Sequence, residues 1–294
     1  MLRIATRSSA LALAQARQVA EMLGGAELVV ASSDGEPGDK ARFVRGVERA
    51  LLEGEAEIGV HSAKDLPAEL PEGLEIAAVP PREDPADAWI GAGASLDDVP
   101  AGARIGTASL RRRAQLLAAR PDLEVVELHG NVDTRLGKLA AGDLDAIVLA
   151  VAGLRRLGRE DEVSFAIPAE SMTPAAGQGA LVLQIRGDDE AAAAAVAPLG
   201  NEAALRELTV ERAVVSLLNA TCATPIGVRA EVKGDRILAA AFVGLPDGSE
   251  WIRDRLEGNA AEPALLGAEL AERLLGVGAR EILDRAEGWH SSAT

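Results

Sequence analysis

Cys222 is the only cysteine of the chain, and it stands in a short segment, residues 219–227, that also holds Pro225 and Gly227. A single thiol makes neither an internal disulfide nor a cysteine-rich metal site. The proline and glycine predict a turn or loop here rather than a packed strand. A loop thiol is available for covalent chemistry, although a lone cysteine is more often a small apolar core residue. Taken by itself, Cys222 leaves both interpretations open.

Two basic segments stand out in a chain of net charge −16. Residues 1–20 hold three arginines and no acid, and residues 105–120 hold four arginines and no acid. An acidic protein with two such segments is expected to use them on an anionic ligand, the alternative being a chance cluster on a solvated helix face. General binding to nucleic acid or to an anionic membrane is not expected at this net charge.

Each basic segment contains a strand that runs into a Thr-x-Ser pattern at a predicted helix start. A Ser or Thr at this position caps free backbone N–H groups, and the helix start also favours an anion. Arginine forks suited to carboxylates stand beside both starts. Plain capping explains the hydroxyl residues but not these arginines. The residues concerned are Thr6, Arg7 and Ser9 in one segment and Thr107, Ser109, Arg111 and Arg112 in the other.

Four polar side chains follow a predicted apolar strand that ends near His61, namely His61, Ser62, Lys64 and Asp65. Ligands of open α/β sheets bind at the carboxyl ends of strands. At such a place a carboxylate moves protons or stabilises a cation, whereas the alternative for Lys64 and Asp65 is a surface ion pair. A further helix start presents Arg135, and residues 176–180 form a glycine-flexed turn that resembles no nucleotide-binding loop.

Alternating strands and helices predict a largely parallel α/β architecture up to about residue 198, with breaks at Pro80, Pro81 and Pro85 and again at Pro168 and Pro174. After Pro225 alternating strands and two helices predict a small α+β unit. We therefore expect three domains: residues 1–81 plus 178–198, residues 86–174, and residues 202–294. The mass of 30.4 kDa agrees with more than one core.

Composition and residue counts exclude several classes of protein. The chain has no apolar run of transmembrane length and no signal-peptide core, and its one cysteine favours the cytoplasm. Its three histidines, His61, His129 and His290, are scattered, so we expect no metal site.

Taken together, the segments resemble the porphobilinogen deaminase family, also called the hydroxymethylbilane synthases. The ordered set of motifs covers nearly the whole chain and comprises the stretches 3–9, 60–67, 82–85, 106–112, 130–135, 149–158, 177–180 and 222–227. The resemblance implies two lobes similar to periplasmic binding proteins around a cleft, with the cysteine loop on a third domain. It also implies a soluble monomer without nucleic-acid or membrane partners.

The resemblance further implies a dipyrromethane cofactor, two linked pyrroles joined by a thioether to Cys222, that acts as a primer. Four porphobilinogen units add to it, each losing ammonia, and hydrolysis releases hydroxymethylbilane. Asp65 matches the catalytic carboxylate, which stabilises the electron-poor cation left when ammonia departs. The residues that match cofactor- or substrate-binding positions are Arg7, Ser9, Ser62, Lys64, Thr107, Ser109, Arg111, Arg112, Arg135, Arg156 and Gln178.

One departure from the family pattern is His129, which stands where the family usually has arginine before Gly-Asn-Val. A neutral imidazole binds a carboxylate more weakly than guanidinium, so we expect either pH-sensitive binding at His129 or reliance on neighbours such as Arg135. We expect Arg113 and Arg120 to be solvated. The alternatives are a two-lobed carboxylate-binding protein without catalysis and, with less support, a thiol hydrolase pairing Cys222 with His61 or His129.

Overall fold

The computed structural model describes residues 1–32, 42–221 and 224–289, without the side chains of residues 42 and 43. Cys222 and His290 lie outside the described residues. The strands are β1 (Arg3–Thr6), β2 (Glu27–Val30), β3 (Ile58–Ser62), β4 (Leu74–Ala78), β5 (Asp87–Gly91), β6 (Arg104–Gly106), β7 (Glu124–Val126), β8 (Ala146–Ala150), β9 (Phe165–Ile167), β10 (Leu181–Arg186), β11 (Ile226–Lys233), β12 (Arg236–Gly244) and β13 (Trp251–Asn259). The helices are α1 (Ala10–Met22), α2 (Arg42–Leu52), α3 (Leu110–Ala119), α4 (Val132–Ala140), α5 (Val151–Arg156), α6 (Glu190–Val196), α7 (Glu202–Leu217), α8 (Pro263–Gly276) and α9 (Ala279–Glu287).

The first lobe is built on a five-stranded sheet with the order β2-β1-β3-β10-β4. β1 pairs in parallel with β2 and β3, and β10 runs antiparallel between β3 and β4. Ile4 and Ile58, on neighbouring parallel strands, are fully buried in the core that α1 covers. The carboxyl ends of β1 and β3 therefore open on the same edge of the sheet.

The second lobe repeats this order with β7-β6-β8-β5-β9. Here β5 is the antiparallel strand, between β8 and β9. Because β5 follows β4 along the chain and β10 follows β9, the chain crosses between the lobes twice. The proline-bearing stretches 79–86 and 168–180 are the two crossings. The antiparallel strand of each lobe follows directly after one of them: β5 after the first crossing and β10 after the second.

The third unit is a three-stranded antiparallel sheet, β11-β12-β13, covered by α7 and α8. Val210 and Val214 of α7, and Leu270 and Leu274 of α8, are fully buried against this sheet. Residues of α9 complete the same core. The predicted class, two α/β lobes and a small α+β unit, is confirmed, while the predicted domain boundaries stay a prediction.

The sequence analysis missed three strands and one helix: β4, β5, β9 and α5. β5 begins two residues after Pro85, where a break was expected. Trp89 of β5 is fully buried and stacks on Phe165 of β9 with ring centroids 5.8 Å apart. These segments become strands because they pair with each other and are buried together, and a single stretch of sequence shows neither the pairing nor the burial.

Candidate active site

A cleft of about 240 Å³ lies between the lobes, where β1, β3 and β8 end. Both lobes contribute to its wall, together with the second crossing. The lining side chains include one carboxylate, that of Asp133, and five cations, which are Arg7, Lys64, Arg112, Arg135 and Arg156. This excess of positive charge suits a ligand with several carboxylates.

The end of β3 is held by a hydrogen bond to α1. Gln15, buried on α1, donates from Nε2 to Ser62 Oγ at 2.8 Å. The chain then turns through a short 3₁₀ helix, residues 63–65, which presents Lys64 and Asp65 in succession. Ser62 and Lys64 thus lie at the cleft, as the strand-end argument predicted, and their predicted binding roles stay predictions.

Asp65 lies beside the cleft rather than among the side chains that line it. Its Oδ2 is 3.8 Å from Nη1 of Arg7, which does line the cleft, and its side chain is 37% exposed. Arg7 comes directly after β1, and Asp65 ends the turn after β3, so two neighbouring parallel strands deliver this pair. The arrangement offers an accessible carboxylate at the edge of a cationic cleft.

Lys64 is linked to the second crossing through Gln178. Its Nζ donates to Oε1 of Gln178 at 3.5 Å, and Nε2 of the same amide donates to Oδ1 of Asp87 at 3.0 Å. Burial lowers the pKa of Lys64 to about 8, although Asp65 acts in the opposite direction. Lys64 therefore changes charge near pH 8.

Asp87 forms a buried cluster with the two arginines of α3. Arg111 binds both carboxylate oxygens, at 2.7 and 3.1 Å, and donates to the Thr173 carbonyl. Arg112 binds Oδ1 and the Val148 carbonyl. Burial raises the pKa of Asp87, but the two guanidinium charges outweigh it and hold that pKa well below its usual range.

This cluster gives the two arginines different positions. Arg112 lines the cleft, whereas Arg111 does not, because its donors are directed to Asp87 and to the second crossing. In this geometry Arg111 joins α3 to β5, and its predicted ligand contact stays a prediction. The sequence analysis did not single out Asp87, because an aspartate in a proline-bearing stretch carries no local signal of a buried ion pair.

The hydroxyl residues of the helix starts act as caps. Ser9 Oγ accepts from Ala12 N at 3.3 Å, and Ser109 Oγ accepts from Arg112 N at 3.4 Å. Thr107 Oγ1 accepts from Ser109 N at 3.2 Å. Ser9 also lines the cleft, whereas Thr107 and Ser109 do not. The capping predicted for Ser9 and Ser109 is confirmed, and ligand binding by all three residues stays a prediction.

Arg135 and Arg156 reach the cleft from α4 and α5. Arg135 Nε donates to the Gly130 carbonyl at 2.8 Å, and Arg156 Nη2 donates to the Gly179 carbonyl at 2.7 Å. Arg156 Nε is buried and has no hydrogen-bond partner among the described residues. Burial lowers the pKa of both guanidinium groups, and the charge of Arg112 lowers that of Arg135 further. Both side chains are therefore partly desolvated cations suited to an anionic ligand.

Neither described histidine lies in the cleft. His129 is 72% exposed and binds Glu127 Oε1 at 2.7 Å, and its predicted cofactor contact stays a prediction. His61 is buried and binds Oε1 of Gln184 at 2.8 Å, and burial lowers its pKa to about 4. Gln184 in turn donates to Glu48 at 3.3 Å. The orientation of His61 towards this buried chain does not support a thiol hydrolase.

The described residues on either side of the cysteine, Thr221 and Thr224, are hydrogen-bonded to each other. Thr221 N donates to Thr224 Oγ1 at 2.8 Å, and Thr224 N donates to the Thr221 carbonyl at 3.0 Å. Shortly afterwards Val228 N donates to the Pro174 carbonyl at 2.9 Å. The third unit therefore joins the second crossing close to the cysteine segment.

Arg113 and Arg120 are not solvated, which corrects the expectation for both. Arg113 Nη1 donates to the Val125 carbonyl at 2.6 Å, and its Nε is buried. Arg120 Nη2 donates to the Val99 carbonyl at 2.8 Å and to Asp122. Both guanidinium groups donate to backbone carbonyls, Arg113 to one in β7 and Arg120 to one before β6, and a run of arginines in sequence does not reveal this.

No helix in the described part of the chain is long and apolar enough to cross a membrane. Within the same residues, no group of three or more His, Cys, Asp or Glu side chains is arranged to hold a metal ion.

Comparison with solved structures finds periplasmic binding proteins of low identity. A TRAP periplasmic solute binding protein from Desulfovibrio salexigens matches with a TM-score of 0.41 and 12% identity over 69% of this chain and 73% of the other. A periplasmic binding protein of an ABC transporter from Brucella ovis, with glutathione bound, matches with a TM-score of 0.40 and 14% identity over 74% and 69%.

Comparison at the sequence level is more specific. Residues 2–194 match the family model described as porphobilinogen deaminase, dipyromethane cofactor binding domain, and residues 205–276 match the one described as porphobilinogen deaminase, C-terminal domain. A curated protein named porphobilinogen deaminase, from Syntrophus aciditrophicus, is 46% identical over 302 residues, covering 97% of this chain and 99% of that protein. The chain therefore belongs to the porphobilinogen deaminase family.

Proposed function

We propose that this chain joins four porphobilinogen units one after another, with loss of ammonia from each, onto a dipyrromethane primer held by Cys222. The linear tetrapyrrole hydroxymethylbilane is then released. The observation that supports this proposal is the cleft itself: five cations from both lobes line it, and the Asp65 carboxylate lies 3.8 Å from one of them. A growing chain of pyrroles that each carry an acetate and a propionate needs such a surface.

The residues present fit a dipyrromethane group. Two linked pyrroles carry four carboxylates, and Arg156 Nε is a buried donor without a hydrogen-bond partner among the described residues. Arg112, Arg135 and Arg156 from the second lobe would hold carboxylates of the cofactor, and Lys64 and Arg7 would hold carboxylates from the first lobe. When bound, the group supplies an electron-rich pyrrole carbon to which substrate is added.

Asp65 is proposed as the catalytic residue. The turn after β3 places its carboxylate at the cleft edge, where it stabilises the cation that porphobilinogen becomes when ammonia leaves. The same carboxylate is within reach of pyrrole N–H protons and moves them during the addition. Arg7 orients Asp65 and provides a charge for a substrate carboxylate.

The buried cluster around Asp87 positions these groups. Asp87 fixes Arg112 from one side and Gln178 from the other, and Gln178 contacts Lys64. The two lobes and the second crossing therefore share one hydrogen-bonded network beneath the cleft floor. Arg111 and Asp87 act through this network as positioning residues.

A cytoplasmic monomer completes the proposal. The single cysteine agrees with a reducing compartment, and the monomeric state is inferred from the family resemblance. Sedimentation of the purified chain at about 30 kDa would support the monomer, and a dimer mass would contradict it.

Intact-protein mass spectrometry together with turnover tests the proposal. We expect the native mass to exceed the sequence mass by two porphobilinogen units less their ammonia, and Cys222→Ser to lose that increment. Asp65→Asn is expected to lower kcat at least about a hundredfold while the fold is retained. Asp161→Asn, a change at an exposed acid away from the cleft, is the matched control and should keep full turnover. Full turnover at the unmodified mass would contradict the primer, and full turnover by Asp65→Asn would contradict its catalytic role.

A further inference from the structure

Asp133 is the one carboxylate among the described side chains that line the cleft. The five cations of the cleft suit carboxylates, whether those of the cofactor or those of porphobilinogen, the substrate assigned by the proposed function. Porphobilinogen also carries an aminomethyl group, which as an aliphatic amine is an ammonium ion at neutral pH. A wall of cations alone would repel that end of the substrate, so the cleft requires an acceptor for it.

The position of Asp133 suits that task. It lies in the first turn of α4, two residues before Arg135, and the side chain of Asn131 caps this helix. Arg159 Nη1 binds Oδ1 of Asp133 at 2.7 Å. Among the described residues no donor is hydrogen-bonded to Oδ2. One oxygen is thus fixed by an arginine, which orients the carboxylate, and the other can accept from a ligand.

Asp65 does not fill this role equally well. It belongs to the first lobe, beside Arg7, and its proposed task is at the carbon from which ammonia departs. Asp133 belongs to the second lobe, on the helix that also delivers Arg135. Two carboxylates on opposite lobes allow recognition of the ammonium group and stabilisation of the later cation to be separate functions.

We propose that Asp133 receives the ammonium group of incoming porphobilinogen and so distinguishes it from pyrroles that lack a cationic substituent. This inference rests on the proposed function of the cleft and adds to it a residue that determines substrate specificity. The carboxylate contacts the ammonium group in the bound substrate and until the C–N bond breaks. Its loss therefore weakens bound substrate and transition state alike, which raises KM with little change in kcat.

The test compares two pyrroles that differ at one group. Porphobilinogen and its analogue with hydroxymethyl in place of aminomethyl carry the same carboxylates, and only the first carries a charge that Asp133 can bind. We expect Asp133→Asn to raise KM for porphobilinogen about fivefold, the effect of a partly exposed ion pair, with kcat within about twofold. The inhibition constant of the hydroxymethyl analogue should stay unchanged or fall, because a negative charge near its carboxylates has been removed.

Two further variants separate recognition from a structural effect. Asp133→Glu keeps the charge and should retain most of the preference for porphobilinogen. Arg159→Gln keeps the Asp133 carboxylate but removes its ion-pair partner, so the preference for porphobilinogen should survive or grow. If the Asp133–Arg159 ion pair had only a structural role, Arg159→Gln would instead have the same effect as Asp133→Asn. Equal weakening of both pyrroles by Asp133→Asn, or loss of preference in Asp133→Glu, would overturn the inference. Absence of ammonia release by the unaltered chain would instead reject the proposed function.

Discussion

Gln178 is the side chain through which charged groups of the two lobes meet. Its amide nitrogen donates to the Pro85 carbonyl at 2.7 Å and to Asp87 at 3.0 Å, and its amide oxygen accepts from Lys64. Lys64 is therefore held by a neutral amide at 3.5 Å and keeps the capacity to bind an incoming carboxylate. Its charge state then controls part of the affinity of the cleft.

Lys64 predicts how substrate binding depends on pH. Because burial lowers its pKa to about 8, the side chain is charged below that pH and neutral above it. A neutral amine no longer attracts a carboxylate, so KM for porphobilinogen should rise about tenfold between pH 7 and pH 9. Initial rates of ammonia release across this range measure the effect.

The control for Lys64 is Lys64→Arg, whose guanidinium stays charged throughout this range. Whatever its KM at pH 7, the KM of this variant should vary less with pH than that of the unaltered chain. The substrate amine titrates identically in both measurements and cancels from the comparison. An equal alkaline rise in Lys64→Arg would assign the pH dependence to another group.

Local patterns revealed some of these residues and concealed others. Ser62, Lys64 and Asp65 follow a buried strand, and the rule that ligands bind at strand ends placed them correctly near a cleft. The ligand contact of Arg111 is predicted from its place at a helix start and stays a prediction. Its partner, Asp87, is 24 residues away along the chain and on another element, so no local pattern could show this buried ion pair.

At the scale of elements, α7 joins the third unit to the first crossing. Glu211 of α7 is fully buried and accepts from Arg82 at 2.7 Å, from Gly177 N at 2.6 Å and from Ala230 N at 2.8 Å. One carboxylate thus binds both crossings and β11. Its removal would leave a buried arginine and two backbone donors without their acceptor.

Glu211→Gln is therefore expected to destabilise the chain by about 3–5 kcal/mol, the usual result of removing one partner from a buried ion pair. Urea unfolding followed by circular dichroism measures the loss. Glu207→Gln is the matched control on the same helix, because Glu207 lies 3.4 Å from the same arginine and is less buried. A loss in Glu207→Gln as large as that in Glu211→Gln would contradict the central position of Glu211.

Elements were predicted well where a strand, a helix and a strand follow one another within one lobe. The sequence pattern predicts strands at residues 2–6, 28–31 and 58–61 with helices at 9–23 and 41–53 between them, and strands at 104–107, 124–128 and 146–150 with helices at 109–119 and 132–141. These bounds agree with β1 to β3 and β6 to β8 to within one or two residues. β5 and β10 belong to sheets on the far side of the crossings, and their partners β8 and β3 lie far away along the chain. The pattern therefore predicts a strand at residues 180–185, which is β10, without its sheet neighbours, and does not predict β5.

At the scale of the whole molecule, the third unit contacts both lobes. Arg212 donates to the Ala68 carbonyl of the first lobe at 2.7 Å. Arg253 donates to the Glu170 carbonyl of the second crossing at 2.6 Å. The turn between β12 and β13 packs on α3 of the second lobe through Gly248. The cysteine-bearing unit is thereby held in a defined position relative to α3, which carries Arg112.

Substitution of Gly248 tests whether its contact with α3 positions the third unit, because the effect of that contact can be separated from the effect of the left-handed backbone. A Cβ at this position would lie 2.4 Å from Ala118 N, and its φ is +73°. Gly234, in the other turn of the same sheet, has φ +65° and no described atom within 4 Å of such a Cβ. Alanine costs about 1–2 kcal/mol at either glycine through its left-handed backbone, but only Gly248→Ala pushes the third unit away from α3. We expect the left-handed backbone to lower the free energy of unfolding by a similar amount in both variants. Only Gly248→Ala should also lose hydrogen-exchange protection in α3 and lower turnover. Equal protection of α3 in the two variants would show that the third unit does not depend on this contact for its position.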